Sequence, residues 1–378
     1  MVYPFLPVFG RSLDVSLSTI SKAVALRSAS GILGPFLASI GDLRGRKIGM
    51  LLGLIFFIAA NGLVVFIPTF PVFVLSMVLS LLGYFTFNPT MQAYLGDRVD
   101  YKNRGRALAL PELGWSLSFI LGVPVIGFLI ARFSWQSPFF VLTGLGILVF
   151  LVLAAVLPPD PVRKSGQPGM WQTFGIVLTS LPVLAGMLLG AASSMSNELV
   201  SLIFGVWLED TFAVKITTLG FTAAIIGFAE LSGELSSAGL VDRIGKTRAV
   251  AAGLIVNSLV GLSLAFIGVN LISAFVALFL FYLSFEFTVV CSIPIITEIL
   301  PRARATVMAV IVAVISLGRA VGDIISPWLY RLGQSQSFFP GLIFIGIGVV
   351  LLNLTALFAL RFLSRSIQNI ESNPVIGI

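Results

Sequence analysis

Gly41-Asp42-Leu43-Arg44-Gly45-Arg46-Lys47 finds a second version of itself in Asp242-Arg243-Ile244-Gly245-Lys246-Thr247-Arg248, with Asp42 and Asp242 200 residues apart. Each stretch is a short charged loop between long apolar runs. Each carries a glycine, Gly45 or Gly245, that permits a tight turn. A second landmark repeats beside the first. Asp97 and Glu298 open the next charged loops, 201 residues apart, and lead into Arg106-Ala107 and Arg304-Ala305. Two landmarks at nearly one offset point to an internal duplication.

The surrounding composition identifies the solvent. Of 378 residues, 57% are hydrophobic and 10% are charged, against about 25% charged in an ordinary soluble domain. So much apolar surface requires lipid around it. A bilayer-spanning helix needs about 20 mostly apolar residues. Runs of that kind lie at 17–40, 48–67, 70–96, 107–131, 137–157, 181–207, 216–240, 249–269, 271–297, 305–329 and 339–360. Met1–Phe9 reads as half a span, the outer part of a first helix whose inner half is missing, as a late-started or truncated reading frame would give. The expected fold is all-α and polytopic, with two pseudo-symmetric helix bundles at 1–157 and 173–363. A cytoplasmic linker at 158–172 joins them and a tail follows at 364–378. Parallel halves of this kind are a transporter architecture.

Charge sets the orientation. Sixteen of the 23 lysines and arginines lie in the loops 41–47, 97–106, 158–172, 241–248 and 298–304 and in the tail after 360. The positive-inside rule puts that side in the cytoplasm, together with the C-terminus, and the cell membrane is the expected location. The net charge of +7 is therefore topogenic. With no polar face for a basic patch, nucleic-acid binding is excluded. The chain has no histidine, which removes His-based metal sites, catalytic triads and histidine proton relays. Cys291 is the only cysteine, so no internal disulfide forms. Gly245-Lys246-Thr247 lacks the glycine five residues earlier that a phosphate-binding loop needs, since position 240 is leucine. No metal, cofactor or enzymatic activity is expected.

The paired loops resemble the signature of the major facilitator superfamily, in which an Asp is followed by Arg-x-Gly-Arg and a further basic residue. Asp42, Gly45, Arg46 and Lys47 match in register, while Leu43 departs from the usual Arg. In the second loop Asp242, Arg243 and Gly245 match. Read from the residues alone, these loops are either latches, with Arg44, Arg46, Arg243 or Lys246 pairing with the aspartates Asp42 and Asp242 that end their helices, or solvated topogenic loops. The resemblance favours latches that gate a transport cycle and extends that role to Asp97, Arg106, Glu298 and Arg304. A weaker likeness lies in Gly122-Val123-Pro124-Val125-Ile126-Gly127, which resembles a Gly-Pro-x-x-Gly motif of proton-coupled exporters through Pro124 and Gly127. Small residues and proline also serve packing alone.

Ionisable groups inside a bilayer are costly and are functional candidates by default. Here they are Arg27, Glu112, Glu198, Glu230, Glu234, Glu286, Arg319 and Asp323. With the half span counted as the first, every third span (48–67, 137–157, 249–269 and 339–360) contains no Asp, Glu, Lys or Arg. The resemblance implies that these four helices are peripheral and that the first, fourth, seventh and tenth line a cavity. At 1.5 Å per residue, Glu230 and Glu286 each lie about 18 Å from the basic face, near the bilayer midplane. Glu234 shares a helix face with Glu230, a pairing suited to proton uptake and release. Glu286 is the first candidate for a proton or substrate group, then Glu230, Glu234 and Glu198, with Arg319 and Asp323 as partners. A structural alternative pairs Arg319 with Glu286, Glu230 or Asp323. Aromatic residues such as Tyr84, Phe85, Tyr282 and Phe287 suit a wall for amphipathic solutes or helix packing.

These readings converge on a monomeric secondary transporter that moves a small solute by alternating access, with proton-coupled efflux of an amphipathic compound favoured. Uptake of a sugar, nucleoside or other metabolite is the competing transport reading. A non-transporting membrane scaffold or sensor is the alternative of another class.

Overall fold

The computed structural model describes residues 2–98, 114, 116–158, 179–267, 270–299, 304–335 and 341–372. Among them the secondary structure is helical, without strands. A 3-10 turn at Tyr3–Phe5 leads into α1 (Leu6–Ser12), followed by α2 (Leu17–Ser30), α3 (Gly34–Arg44), α4 (Arg46–Phe66) and α5 (Phe70–Arg98). A π-turn at Ser118–Gly122 precedes α6 (Val123–Arg132), and α7 (Ser137–Val156) follows. The second half comprises α8 (Leu181–Phe212), α9 (Ile216–Ile244), α10 (Lys246–Ile267), α11 (Leu271–Thr297), α12 (Arg304–Gln334) and α13 (Ile343–Ser372). The described residues hold ten helical stretches long and apolar enough to cross a membrane, the first being Leu17–Gly41, and a shorter apolar helix at Ser118–Arg132. Most of the 107–115 part of the fourth expected span, Glu112 included, lies outside the described residues.

Several helices outrun the apolar windows that locate them in the sequence. α8 continues past residue 207 to Phe212, α12 to Gln334, and α13 runs through the expected tail to Ser372. Hydropathy marks where the chain meets lipid, whereas the helical hydrogen bonds persist until a cap or turn ends them. The caps are local. Ser16 Oγ accepts from the Thr19 amide at 3.2 Å at the start of α2. Asn270 and Ser273 exchange bonds of 2.9 and 3.3 Å at the start of α11. Inside the spans, Thr86, Thr90, Thr143 and Thr288 each donate to the carbonyl four residues back, which satisfies the hydroxyl without a partner helix.

The chain divides into two compact units. One is Met1–Gly166 with Val214–Ala224; the other is Gln167–Ala213 with Ile225–Ile378. In the first unit α4 packs on α5 and α7, and α5 also meets α2 and α3. Glycines permit the close approach. A methyl on Gly53 would come within 2.8 Å of the Gly83 carbonyl oxygen, and one on Gly83 within 2.8 Å of the Gly53 oxygen. An aromatic cluster of Phe9, Phe73, Trp135 and Phe139 fills one end of this unit, with ring centroids 5.0 to 6.4 Å apart.

In the second unit α8 packs on α12 and α13, and α10 packs on α11 and α13. A buried amide chain ties three of these helices. Asn353 Nδ2 donates to Asn257 Oδ1 at 2.8 Å, and Asn257 Nδ2 donates to Phe281 O at 3.0 Å and Ser284 Oγ at 3.1 Å. Cys291 lies buried in the apolar core of this unit.

Candidate functional site

A deeply buried charged contact lies on the α8–α12 seam of the second unit. Glu198 is fully buried on α8. Its Oε2 accepts from Arg319 Nε on α12 at 2.9 Å, while Oε1 has no hydrogen-bond partner. The Arg319 side chain is 41% exposed, so a fully buried carboxylate holds a guanidinium that is only partly covered. Asp323, one turn along α12, is also fully buried. The sequence paired Arg319 with Glu286, Glu230 or Asp323; the structure adds a contact to Glu198.

Glycine spacing explains why this pair can form. Gly186-x3-Gly190 on α8 and Gly318-x3-Gly322 on α12 are small-residue repeats that let helix backbones meet in lipid. A methyl on Gly318 would lie 2.7 Å from the Ala191 oxygen, and one on Gly322 would lie 2.9 Å from Glu198 Cβ. The α12 backbone therefore presses directly on Glu198. Further along the seam, Ser326 Oγ donates to Leu199 O at 2.6 Å. Beyond it, Tyr330 OH and Gln334 Nε2 donate to Asp210 Oδ2 at 3.0 and 3.3 Å. The reading from sequence passed over these residues, although both glycine repeats were visible in it.

A second seam holds the other glutamates. On α9 and α11, a methyl on Gly233 would meet Leu283 O at 2.7 Å and Glu286 Cβ at 3.0 Å. This contact sets Glu286 beside the α9 face that also carries Glu230 and Glu234. All three are half-buried. Tyr282, on the same helix as Glu286, is buried and shares a 2.8 Å hydroxyl bond with Ser201 on α8. Its ring packs edge-on against Phe204 at 6.4 Å. Tyr282 and Phe287 therefore pack within this bundle rather than lining an open wall. In the first unit, Tyr84 is exposed and accepts from Asn88 Nδ2 at 3.1 Å. Arg27 Nη1 donates to the Tyr3 hydroxyl at 3.4 Å, its guanidinium 5.9 Å from that ring's centre.

The paired loops fold alike. Gly45 and Gly245 both take positive φ, 103° and 86°, separating α3 from α4 and α9 from α10. Their basic residues are used differently. Lys47 Nζ donates to Ala154 O at 2.7 Å and Leu157 O at 2.6 Å, capping the C-terminal carbonyls of α7. Lys246 Nζ pairs with Glu298 Oε1 at 2.6 Å, both side chains nearly half exposed. Arg44 and Arg243 are exposed and Arg46 is half-buried. Asp42, Asp97, Asp242 and Arg304 stand on described helices, but their side chains lie outside what is described, and Arg106 lies outside altogether.

The exporter-like stretch follows the π-turn at Ser118–Gly122. Gly127 is buried against Phe5 and Gly220, and a methyl on Gly220 would lie 3.3 Å from Pro124 Cα. Pro124 and Gly127 thus form a close backbone contact with the first turns of α9, within the first unit. Among the described residues, no group of three or more Cys, Asp or Glu is placed to hold a metal ion.

A family model described as Major Facilitator Superfamily matches residues 1–323 and, in a second match, 186–374. The MFS-type transporter YceJ of Bacillus subtilis is 26% identical over 337 residues, covering 88% of this chain and 86% of the relative. YwfA, an MFS-type transporter of the same organism, is 25% identical over 313 residues, covering 82% and 76%. The quinolone resistance protein NorA of Staphylococcus aureus is 30% identical over 214 residues, 53% of each chain.

Proposed function

The chain belongs to the major facilitator superfamily and is a multi-pass membrane transporter of small molecules; from that premise we propose that it exports an amphipathic compound in exchange for protons. The observation that carries the coupling is Glu198, fully buried, with one oxygen on Arg319 and the other without a hydrogen-bond partner. An ionised carboxylate in such a place is costly unless fully compensated. A proton on Glu198 removes the charge that pairs with Arg319, and loss of the proton restores that ion pair. Proton exchange and the making of one contact between α8 and α12 are then a single event, which is what coupling requires.

Glu286, Glu230 and Glu234 are assigned as further proton or substrate groups on the α9–α11 seam, with Asp323 supporting the Arg319 pair. Similarity to NorA, whose name ties it to quinolone resistance, supports efflux of an amphipathic substrate. The charge asymmetry of the loops supports a plasma-membrane location with a cytoplasmic C-terminus. The chain works as a monomer in this reading. Pairs such as Lys246–Glu298 and the Lys47 contacts on α7 act as latches at helix ends, together with the other charged residues of the paired loops.

The test is dye efflux from proteoliposomes loaded with a fluorescent amphipathic cation. Transport is expected to follow an imposed pH gradient and to lose that dependence in Glu198→Gln. Flux that ignores the gradient, with Glu198→Gln and Glu286→Gln both fully active, would overturn the coupling. Flux only into the vesicle lumen against the expected direction would overturn efflux.

A further inference from the structure

We propose that α10 and α13 form a binding site for the phosphate headgroup of an anionic phospholipid in the leaflet on the basic side of the membrane. The argument begins with helix register. Asn257 on α10 bonds to Asn353 on α13, and a methyl on Gly346 would lie 2.9 Å from the Gly261 oxygen. Advancing along α13 from Gly346 to Asn353 thus means retreating along α10 from Gly261 to Asn257, so the two helices are antiparallel. Arg248 lies nine residues from Asn257 and Arg361 eight residues from Asn353. At 1.5 Å per residue both stand about 12–14 Å from the amide pair, at one level, with Arg365 one turn further out. Burial of Ala249, Val250, Leu360 and Leu363 in one apolar cluster brings those ends together independently.

The exposure pattern gives the direction. On α10 the exposed stripe runs Leu259, Ile255, Ala252 and then Arg248; on α13 it runs Leu351, Leu354, Phe358 and then Arg361 and Arg365. Leu259 is 65% and Phe358 70% exposed, and these two helices contain the spans without an internal charge. Such faces meet acyl chains. Each stripe ends in arginine where the span ends, the depth at which a lipid phosphate lies. Among the described residues the side chains of Arg248, Arg361 and Arg365 make no ion pair or hydrogen bond. The neighbouring Lys246, by contrast, is held by Glu298. The N-terminus of α10, opened by Gly245 at positive φ, adds the positive end of a 22-residue helix. Guanidinium groups suit phosphate oxygens by geometry as well as charge, and clustered basic residues at this depth are the chemistry that recognises anionic headgroups.

The experiment uses the full chain purified in detergent, titrated with phosphatidylglycerol or phosphatidylcholine and followed by native mass spectrometry. Phosphatidylglycerol is expected to be retained in preference to phosphatidylcholine. Arg361→Gln alone should weaken that retention about fivefold. The triple variant Arg248→Gln, Arg361→Gln and Arg365→Gln should abolish the preference. Unchanged phosphatidylglycerol retention in the single and triple variants would overturn the site, and the single variant keeps the test decisive should the triple variant fail to fold. Displacement of the lipid by inorganic phosphate would make it a soluble-anion site and would equally overturn the proposal.

Discussion

The two halves use the same packing device to different ends. In the first unit Gly34 sits against the ring of Phe85, where a methyl would lie 3.1 Å away. In the second, Gly233 sits against Glu286 at 3.0 Å, close to the offset that relates the paired loops. Gly53 faces Gly83 across α4 and α5, whereas Gly322 faces Glu198 across α8 and α12. Glycine brings helices together in both units, but only in the second do these described contacts press on a carboxylate. Lipid rewards close van der Waals packing regardless of charge, so one scaffold accommodates an inert seam and a chemical one.

Removing Arg319 breaks this contrast most severely. Arg319→Met leaves Glu198 buried without its cation, and a loss of about 3–5 kcal/mol is expected in detergent unfolding. The double change Glu198→Gln with Arg319→Met should recover most of it. A single change without measurable loss would mean that the pair does not hold the seam. Next come the glycines, where the halves should behave alike. Gly318→Ala and Gly53→Ala each force a methyl to within 2.7 or 2.8 Å of a backbone oxygen, costing about 1–3 kcal/mol. Gly144→Ala, with nothing within 4 Å, should be neutral or slightly stabilising by thermal melt.

The amide network gives a smaller difference between the halves. Asn353→Leu, which cuts the bond to Asn257, is expected to cost about 0.6–1.7 kcal/mol. In the first unit Asn61 donates to Phe57 O within its own helix, at 2.8 Å, and Asn61→Leu should cost less in the same assay. Smallest is Lys246→Ala. Its pair with Glu298 is about half exposed, so a loss of about 0.2–1 kcal/mol that shrinks as salt is added is expected. An effect as large as that of Arg319→Met would show that the loop contact, rather than the seam, holds the second unit.

Much of the site was legible in part. Each buried carboxylate was identifiable as an ionisable residue inside an apolar run, and its depth followed from counting residues. Its neighbours did not follow. Glu286 and Glu230 share one depth and both are half-buried, whereas Glu198 and Asp323 are fully buried. The aromatic residues Tyr282 and Phe287 read more readily as packing than as a wall, and the fold buries them. The repeats Gly186-x3-Gly190 and Gly318-x3-Gly322 could have identified the α8–α12 seam, because small residues four apart mark a helix contact in lipid.

What the sequence determined by itself is everything that depends on distance along a helix axis. That covers most of the spans and the two turns at Gly45 and Gly245. Only the tertiary structure decided azimuth: that Arg319 meets Glu198, and that Lys47 caps α7 while Lys246 meets Glu298. The reason is physical. A soluble helix reveals its inner face by being apolar on one side. In a bilayer the lipid side and the packed side are both apolar, so the pattern fixes depth and leaves rotation to glycine contacts between helices far apart in the chain.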